Sequence, residues 1–273
     1  GDSNRMKKLE TTLVIGDAHS EPGHHDKRFQ ALGNFIVDNK PDNIVQIGDF
    51  LSLDSINFFD NNNPLIKEGR RLKDDIDKGV KSYIAMMQPI YDLWDKQTRW
   101  KTKKYSPNLY WLLGNHEVRT YRYTQDKPEL SGFIPEKDFV GCKKDGWIII
   151  NYREYVHIEG TAFTHAPMSK RANNPIGGDY VAKKAADQHT GAIVFGHTHR
   201  FGVHTTKRAS EDGKEPVIQG INVGWYGDYV PSYVKGNEAQ CDWWSGLVML
   251  THTGNGTVDI AQHGIDRVKA EYL

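Results

Sequence analysis

Leu109-Tyr110-Trp111-Leu112-Leu113-Gly114-Asn115-His116-Glu117 is the stretch that decides the fold. Its first five residues form a short apolar run, the pattern of a strand buried on both faces. A glycine then lets the backbone turn, and three side chains with lone pairs or protons follow at once. Loops at strand ends are where a rigid scaffold displays chemistry. The reading therefore moves outward to the other strand ends.

Upstream, Thr11 to Ile15 reads as a strand closed by Gly16-Asp17-Ala18-His19. Asp26 to Asn39 is helical, with Phe29, Leu32, Phe35 and Ile36 on one face. Asn43 to Ile47 is a second strand, closed by Gly48-Asp49. Strand, helix and strand with such short connections make a βαβ unit, so the two strands run parallel. Asp17, His19 and Asp49 then share one edge of the sheet.

Residues 51–107 read as a helical insertion. Asn61-Asn62-Asn63-Pro64 is a loop, followed by a stripe of Leu72, Ile76, Val80, Tyr83, Met87, Ile90 and Trp94 at steps of three and four. Pro89 is expected to break or kink this helix or to start a second one. The stripe is expected to pack on the sheet.

Downstream, residues 118–145 are polar and irregular. Trp147 to Ile150, Tyr152 to Ile158 and Thr161 to Thr164 read as successive antiparallel strands, the last ending in His165. A helix from Gly177-Gly178 to His189 precedes the buried strand Ala192 to Phe195, which ends in Gly196-His197-Thr198-His199. Val203 to Lys207, Val217 to Val223, Leu247 to His252 and Val258 to Gln262 complete a β-rich remainder. Thr253-Gly254-Asn255-Gly256 is its hairpin turn.

Composition narrows the function classes. Lys plus Arg and Asp plus Glu both number 35 in 273 residues, which argues against wholesale coating of nucleic acid or membrane surfaces. Mean hydropathy is −0.65, and no apolar run approaches the ~20 residues of a spanning helix. With no signal-peptide pattern and only Cys142 and Cys241, the expectation is a soluble, cytoplasmic protein without a disulfide framework. No linker or repeat divides the chain, so 1–273 is read as one domain.

Collected in order, the strand ends give Asp17-x-His19, Gly48-Asp49, Gly114-Asn115-His116-Glu117, His165 and Gly196-His197-x-His199. In extended backbone, side chains at i and i+2 point the same way, so Asp17 with His19, and His197 with His199, are each expected to grip one ion. Asn115 and His116 should point apart, one to metal and one to substrate. Mixed imidazole and carboxylate donors suit Mn, Fe, Zn or Ni better than Ca. Six or seven donors exceed the four of a closed zinc site. They fit two metals about 3.5–4 Å apart that share a carboxylate. Two Asp against two divalent ions leave a positive pocket, and phosphate is the natural anion for it.

This set resembles the calcineurin-like metallophosphoesterase superfamily, whose signature is D-x-H, G-D, G-N-H-[D/E], H and G-H-x-H. The resemblance implies an α/β fold, a four-layered αββα sandwich of mixed sheets flanked by helices, with the site at the C-terminal ends of the strands. It implies two divalent transition-metal ions, Mn2+ first and Fe, Zn or Ni as alternatives. Asp17, His19, Asp49 and His199 would hold one, and Asp49, Asn115, His165 and His197 the other, with Asp49 as the bridge. His116 would be the general acid or electrophile at a phosphate attacked by metal-activated hydroxide.

Departures from the family pattern bear on substrate. Ser/Thr phosphatases of the superfamily carry G-D-x-x-D-R-G, and Ser52 stands where the second Asp orients the catalytic histidine. Asp54 lies two residues further on, so a protein phosphatase is disfavoured. DNA-processing members carry G-N-H-D and a long accessory region, whereas here Glu117 stands and the chain stops at Leu273. The expected activity is a phosphodiesterase or phosphatase on nucleotide or nucleic-acid-derived substrates, with a DNA or RNA nuclease and a non-catalytic scaffold as alternatives. Arg119, three residues past His116, is a candidate bidentate phosphate ligand. Arg122, Lys170 and Arg171 are further cations, and Trp225 and Tyr226 are candidates for stacking a base.

Overall fold

Alternation along the first strand sets the layers. In β1 (Thr11–Ile15), Leu13 and Ile15 turn to one face and Val14 to the other, as the two-residue period requires. The computed structural model describes residues 8–58, 64–207, 212, 216–231, 234 and 242–273; of the loop expected at 61–64 only Pro64 is among them, where it opens a helix, and Cys241 lies outside them.

Parallel pairing runs from β1 to β2 (Asn43–Gln46), then to β3 (Asn108–Leu112) and β4 (Ile148–Ile150). A hairpin of β10 (Gly246–His252) and β11 (Val258–Gly264) adds to the free side of β1, giving the order β11-β10-β1-β2-β3-β4. The second sheet contains β5 (Val156–Ile158), β6 (Thr161–Phe163), β7 (Ile193–Phe195), β8 (Phe201–Lys207) and β9 (Val217–Val223) in the order β5-β6-β7-β9-β8. Its three central strands are parallel, and both edge strands are antiparallel to their neighbours.

Val14, Val45, Leu112 and Val248 of the first sheet meet Phe163, Val194 and Ile221 of the second in one buried cluster. Each such side chain contributes roughly 1.5–3 kcal/mol by leaving water, which holds the sheets face to face. The outer face of the first sheet is covered by α1 (Lys27–Asn39), α3 (Leu72–Arg99) and α6 (Ile265–Tyr272). Beyond the second sheet, Val181 and Ala185 of α5 (Val181–Gln188) pack on Ile193 and Phe195. The result is the expected helix, sheet, sheet, helix order.

Four expectations need correction. Pro89 does not interrupt α3, which runs unbroken from Leu72 to Arg99. Pro89 loses one backbone donor, and its ring packs over Gly33 of α1, where a Cβ would collide with Met86 O. The stripe on α3 therefore packs on α1 as well as toward the sheet. The three strands after Trp147 are not one antiparallel run: β4 stays in the first sheet, and a turn at Asn151–Glu154 carries the chain to the β5–β6 hairpin of the second. Within the region read as irregular, α4 (Val118–Asp126) follows directly from the β3 loop; its buried residues are Thr120 and Thr124, which give no apolar stripe. Finally, α6 was not anticipated. A short helix, α2 (Pro64–Lys67), precedes α3.

Candidate active site

Parallel strands in both sheets end at the same rim, and their loops are stitched together across it. Ala18 and His19 donate their backbone N–H groups to Asp49 O at 3.1 and 2.9 Å. His197 N donates to the Asp17 carboxylate at 3.0 Å, and His165 Nδ1 donates to Ile47 O at 3.0 Å. Each of these bonds aims a side chain from one loop by way of the backbone of another.

Ligating atoms of Asp17, His19 and His199 come within 4.8 Å of one another, as do those of Asp49, His165 and His197. A third such group joins Asp49 to His19 and His116. Asp49 is thus common to two groups, with Oδ2 at 3.3 Å from His165 Nε2 and 3.9 Å from His116 Nε2. Asn115 Oδ1 lies 3.0 Å from His165 Nε2. All seven candidate ligands and His116 converge on one site.

They do so by a different geometry from the extended one. His19, Asp49, His197 and His199 have φ of 44°, 51°, 71° and 60°. His197 and His199 consequently go to separate groups, which corrects the expectation that they grip one ion together. Left-handed backbone at non-glycine residues costs on the order of 1–3 kcal/mol each and clusters at functional sites. The preceding glycines serve close approach as much as turning. A Cβ on Gly114 would overlap Asp49 Oδ1, and one on Gly196 would overlap Asp17 Oδ1.

The strained loops are held by a residue that was not assigned from sequence. Glu117, fully buried, accepts N–H bonds from Gly114 at 2.8 Å, Asp49 at 3.0 Å and Leu51 at 3.1 Å. One carboxylate thereby ties the β2 loop to the β3 loop. Burial and the neighbouring Asp49 push its carboxyl up to about 7.

Charge states fit a cation site. Burial, with His116 and His199 adding to it, pushes His19 well below the usual imidazole range; burial and His165 bring His197 down to about 4. Burial would raise Asp49, but His165, His116 and His19 hold its carboxyl well below the usual range. Burial would likewise lower His165, yet Asp49 and Asp17 push it up to about 9. His19 and His197 are thus neutral imidazoles beside an ionised Asp49, the donor state that metals require, whereas His165 carries a proton that a bound ion would have to displace. The buried His197 Nδ1 has no hydrogen-bond partner among the described residues, a further sign that the donor set suits a cation.

His116 is oriented by a backbone atom. Its Nδ1 donates to Ser52 O at 2.7 Å, so the carbonyl of Ser52 replaces the aspartate that this position lacks. Asp54 reaches Arg119 instead, accepting from Nη1 at 2.9 Å, while Nη1 also donates to Ser52 O at 2.8 Å. Arg119 Nη2 faces His116 Nε2 at 3.0 Å. Nη1 is thus committed to Ser52 O and Asp54, so a bidentate grip on phosphate through both terminal nitrogens would require Arg119 to leave these partners. Burial lowers the pKa of His116, with Asp49 opposing and Arg119 reinforcing that shift.

The aromatic candidates divide. Tyr226 is fully buried, its hydroxyl donating to Arg28 O at 2.6 Å and its own carbonyl accepting from Arg28, so it cannot stack a base. Trp225 is buried against the His199 ring at 5.8 Å and the Trp243 ring at 5.2 Å, and it buttresses the ligand. Trp243 meets His199 edge-on at 4.3 Å. Lys170 and Arg171 lie on an exposed turn closed by Ser169 N donating to Asn174 O. Next to Asn115 and Arg119 opens a cleft of about 510 Å³ that also takes in Arg122, Tyr123 and Lys127.

A family model described as calcineurin-like phosphoesterase matches residues 11–201. Two phage proteins, each named Gene 54 protein, from Mycobacterium phage D29 and Mycobacterium phage L5, are 26% identical over 256 and 257 residues; the matches cover 89% of this chain and 89% of each relative. No helix among the described residues is long and apolar enough to cross a membrane. The chain belongs to the calcineurin-like phosphoesterase family, and that membership supports metal-dependent hydrolysis of phosphate esters.

Proposed function

We propose that this calcineurin-like phosphoesterase hydrolyses nucleotide or nucleic-acid-derived phosphate esters at a dinuclear centre. Asp17, His19, Asp49 and His199 would hold one ion, and Asp49, Asn115, His165 and His197 the second. The observation that carries the reading is the place of Asp49, whose carboxylate lies within reach of His19 on one side and of His165 and His197 on the other. When bound, divalent ions supply Lewis-acid charge at the phosphate and an acidified water.

The chain's own residues do the rest. Ile47 O fixes the His165 ring through Nδ1, leaving Nε2 toward Asp49 and Asn115. Ser52 O fixes His116 in the same way and leaves its Nε2 for the leaving oxygen. Arg119 Nη2, beside that nitrogen, is a second donor for a phosphate oxygen. Once Arg119 Nη2 has turned to the phosphate, His116 protonated at both nitrogens would give its Nε2 proton to the leaving oxygen and keep the Nδ1 proton on Ser52 O.

A substrate panel run with Mn2+ tests the reading: monoesters, bis-p-nitrophenyl phosphate, cyclic nucleotides, and single- and double-stranded DNA and RNA. Turnover of diesters is expected, and chelation should abolish it. No turnover with Mn, Fe, Zn or Ni would favour a scaffold instead. His116→Ala should keep its metals and lose most rate with alkoxide leaving groups. Equal losses for alkoxide and p-nitrophenolate would contradict an acid role.

A further inference from the structure

The cleft beside Asn115 is not used by any step described above. At one end it meets the cluster through Asn115 and Arg119, and from there it follows α4. Arg119, Arg122, Tyr123 and Asp126 are spaced three and four residues apart, so one helix face lines it. Its volume of about 510 Å³ falls within the usual range of small-molecule sites.

Charge there departs from the chain as a whole. Among the described residues, Lys67, Arg119, Arg122 and Lys127 line the cleft against the carboxylate of Asp126, in a sequence whose acidic and basic residues balance at 35 each. Arg119 is held by Asp54, but Arg122 is exposed and makes no hydrogen bond or ion pair among the described residues. The same cleft holds two aromatic rings. Phe58 is 69% exposed, and Tyr123 is half-buried with Lys127 Nζ 5.9 Å from its ring centre. Cations interleaved with aromatic rings are the combination that binds a nucleotide chain by phosphate pairing and base stacking.

We propose that this cleft binds the nucleotide unit next to the scissile phosphate, with its further phosphate at Arg122 and Lys127 and its base at Tyr123 and Phe58. The proposal rests on the phosphoesterase reading, because it takes the cluster as the place where the ester is cut. It makes α4 the determinant of substrate class. Phosphate esters that continue into a nucleotide are preferred to those with a small leaving group.

The test uses Arg122→Glu and Lys127→Glu, both at exposed positions, and Lys170→Glu as an exposed control outside the cleft. Binding of a short fluorescein-labelled oligothymidylate is measured by anisotropy in EDTA. The ratio of kcat/KM for dinucleotides and for oligonucleotides to that for bis-p-nitrophenyl phosphate is measured with Mn2+. Each cleft variant is expected to weaken binding and to lower the ratio by about tenfold or more, with a shallower salt dependence. Lys170→Glu should do neither. A drop for dinucleotides and longer strands alike identifies the adjacent unit as the ligand. A drop for longer strands alone, changes below about twofold, or equal damage from Lys170→Glu would overturn the proposal. If bis-p-nitrophenyl phosphate is cut while the cleft variants bind like wild type, the cleft fails and the phosphoesterase reading stands. If wild type cuts no ester while the cleft variants lose binding, the phosphoesterase reading fails and the placing of the unit beside a scissile phosphate is overturned with it, leaving only a nucleotide-binding cleft.

Discussion

At the rim where β1, β2 and β7 end, His19, Asp49, His197 and His199 hold left-handed backbone; at the opposite rim, the β10–β11 turn uses Gly254 and Gly256 for the same purpose. Gly254 has open space around it, whereas Gly114 and Gly196 are pressed against the carboxylates of Asp49 and Asp17. The β10–β11 turn thus takes the inexpensive residue at both of its left-handed positions, although Lys40 and Glu159 are left-handed elsewhere on that rim. The first rim puts imidazoles and a carboxylate into conformations that disfavour them, because their donor atoms are needed there. Glu117, through three backbone N–H bonds, offsets part of that strain.

The contrast can be broken by substitution. Gly114→Ala should cause the largest loss, since its Cβ displaces the Asp49 carboxylate; a fall in kcat/KM of about 100-fold is expected from misplacement on the ångström scale. Activity near wild type would show that the close approach is dispensable. Next comes Glu117→Gln, which replaces an acceptor oxygen with an NH2 facing backbone donors; urea unfolding should show a loss of about 2–4 kcal/mol. Arg119→Lys cannot bond Ser52 O, Asp54 and the His116 side at once, so kcat should fall about tenfold without rescue by the retained charge. Smallest is Gly254→Ala, at about 1–2 kcal/mol of stability and with no change in activity. If Gly254→Ala lowered activity as much as Gly114→Ala, the two rims would not differ as described.

Much of this site was legible because its chemistry is written in side chains at strand ends. Asp17, His19, Asp49, Asn115, His165, His197 and His199 each follow an apolar run, and βαβ topology brings the first three together. What escaped lacks such a signature. Ser52 acts through its carbonyl, which any residue supplies, and Glu117 bonds three backbone groups whose proximity exists only in the fold. The opposite assignments of His197 and His199 depend on positive φ, which the i, i+2 rule for extended chains does not foresee. Tyr226 beside Trp225 read as a possible stacking pair, but its partner Arg28 is 198 residues away. The unbroken α3 depended on Gly33 of another helix making room for Pro89.

The central claim is that Asp49 joins two ion sites. Metal content by mass spectrometry, after Mn2+ loading and removal of free ion, tests it in wild type and in Asp49→Asn, alongside turnover of bis-p-nitrophenyl phosphate. Two ions per wild-type chain are predicted, with weakened retention of both and no turnover in Asp49→Asn. A single ion in wild type, or near-normal turnover by Asp49→Asn, would contradict it.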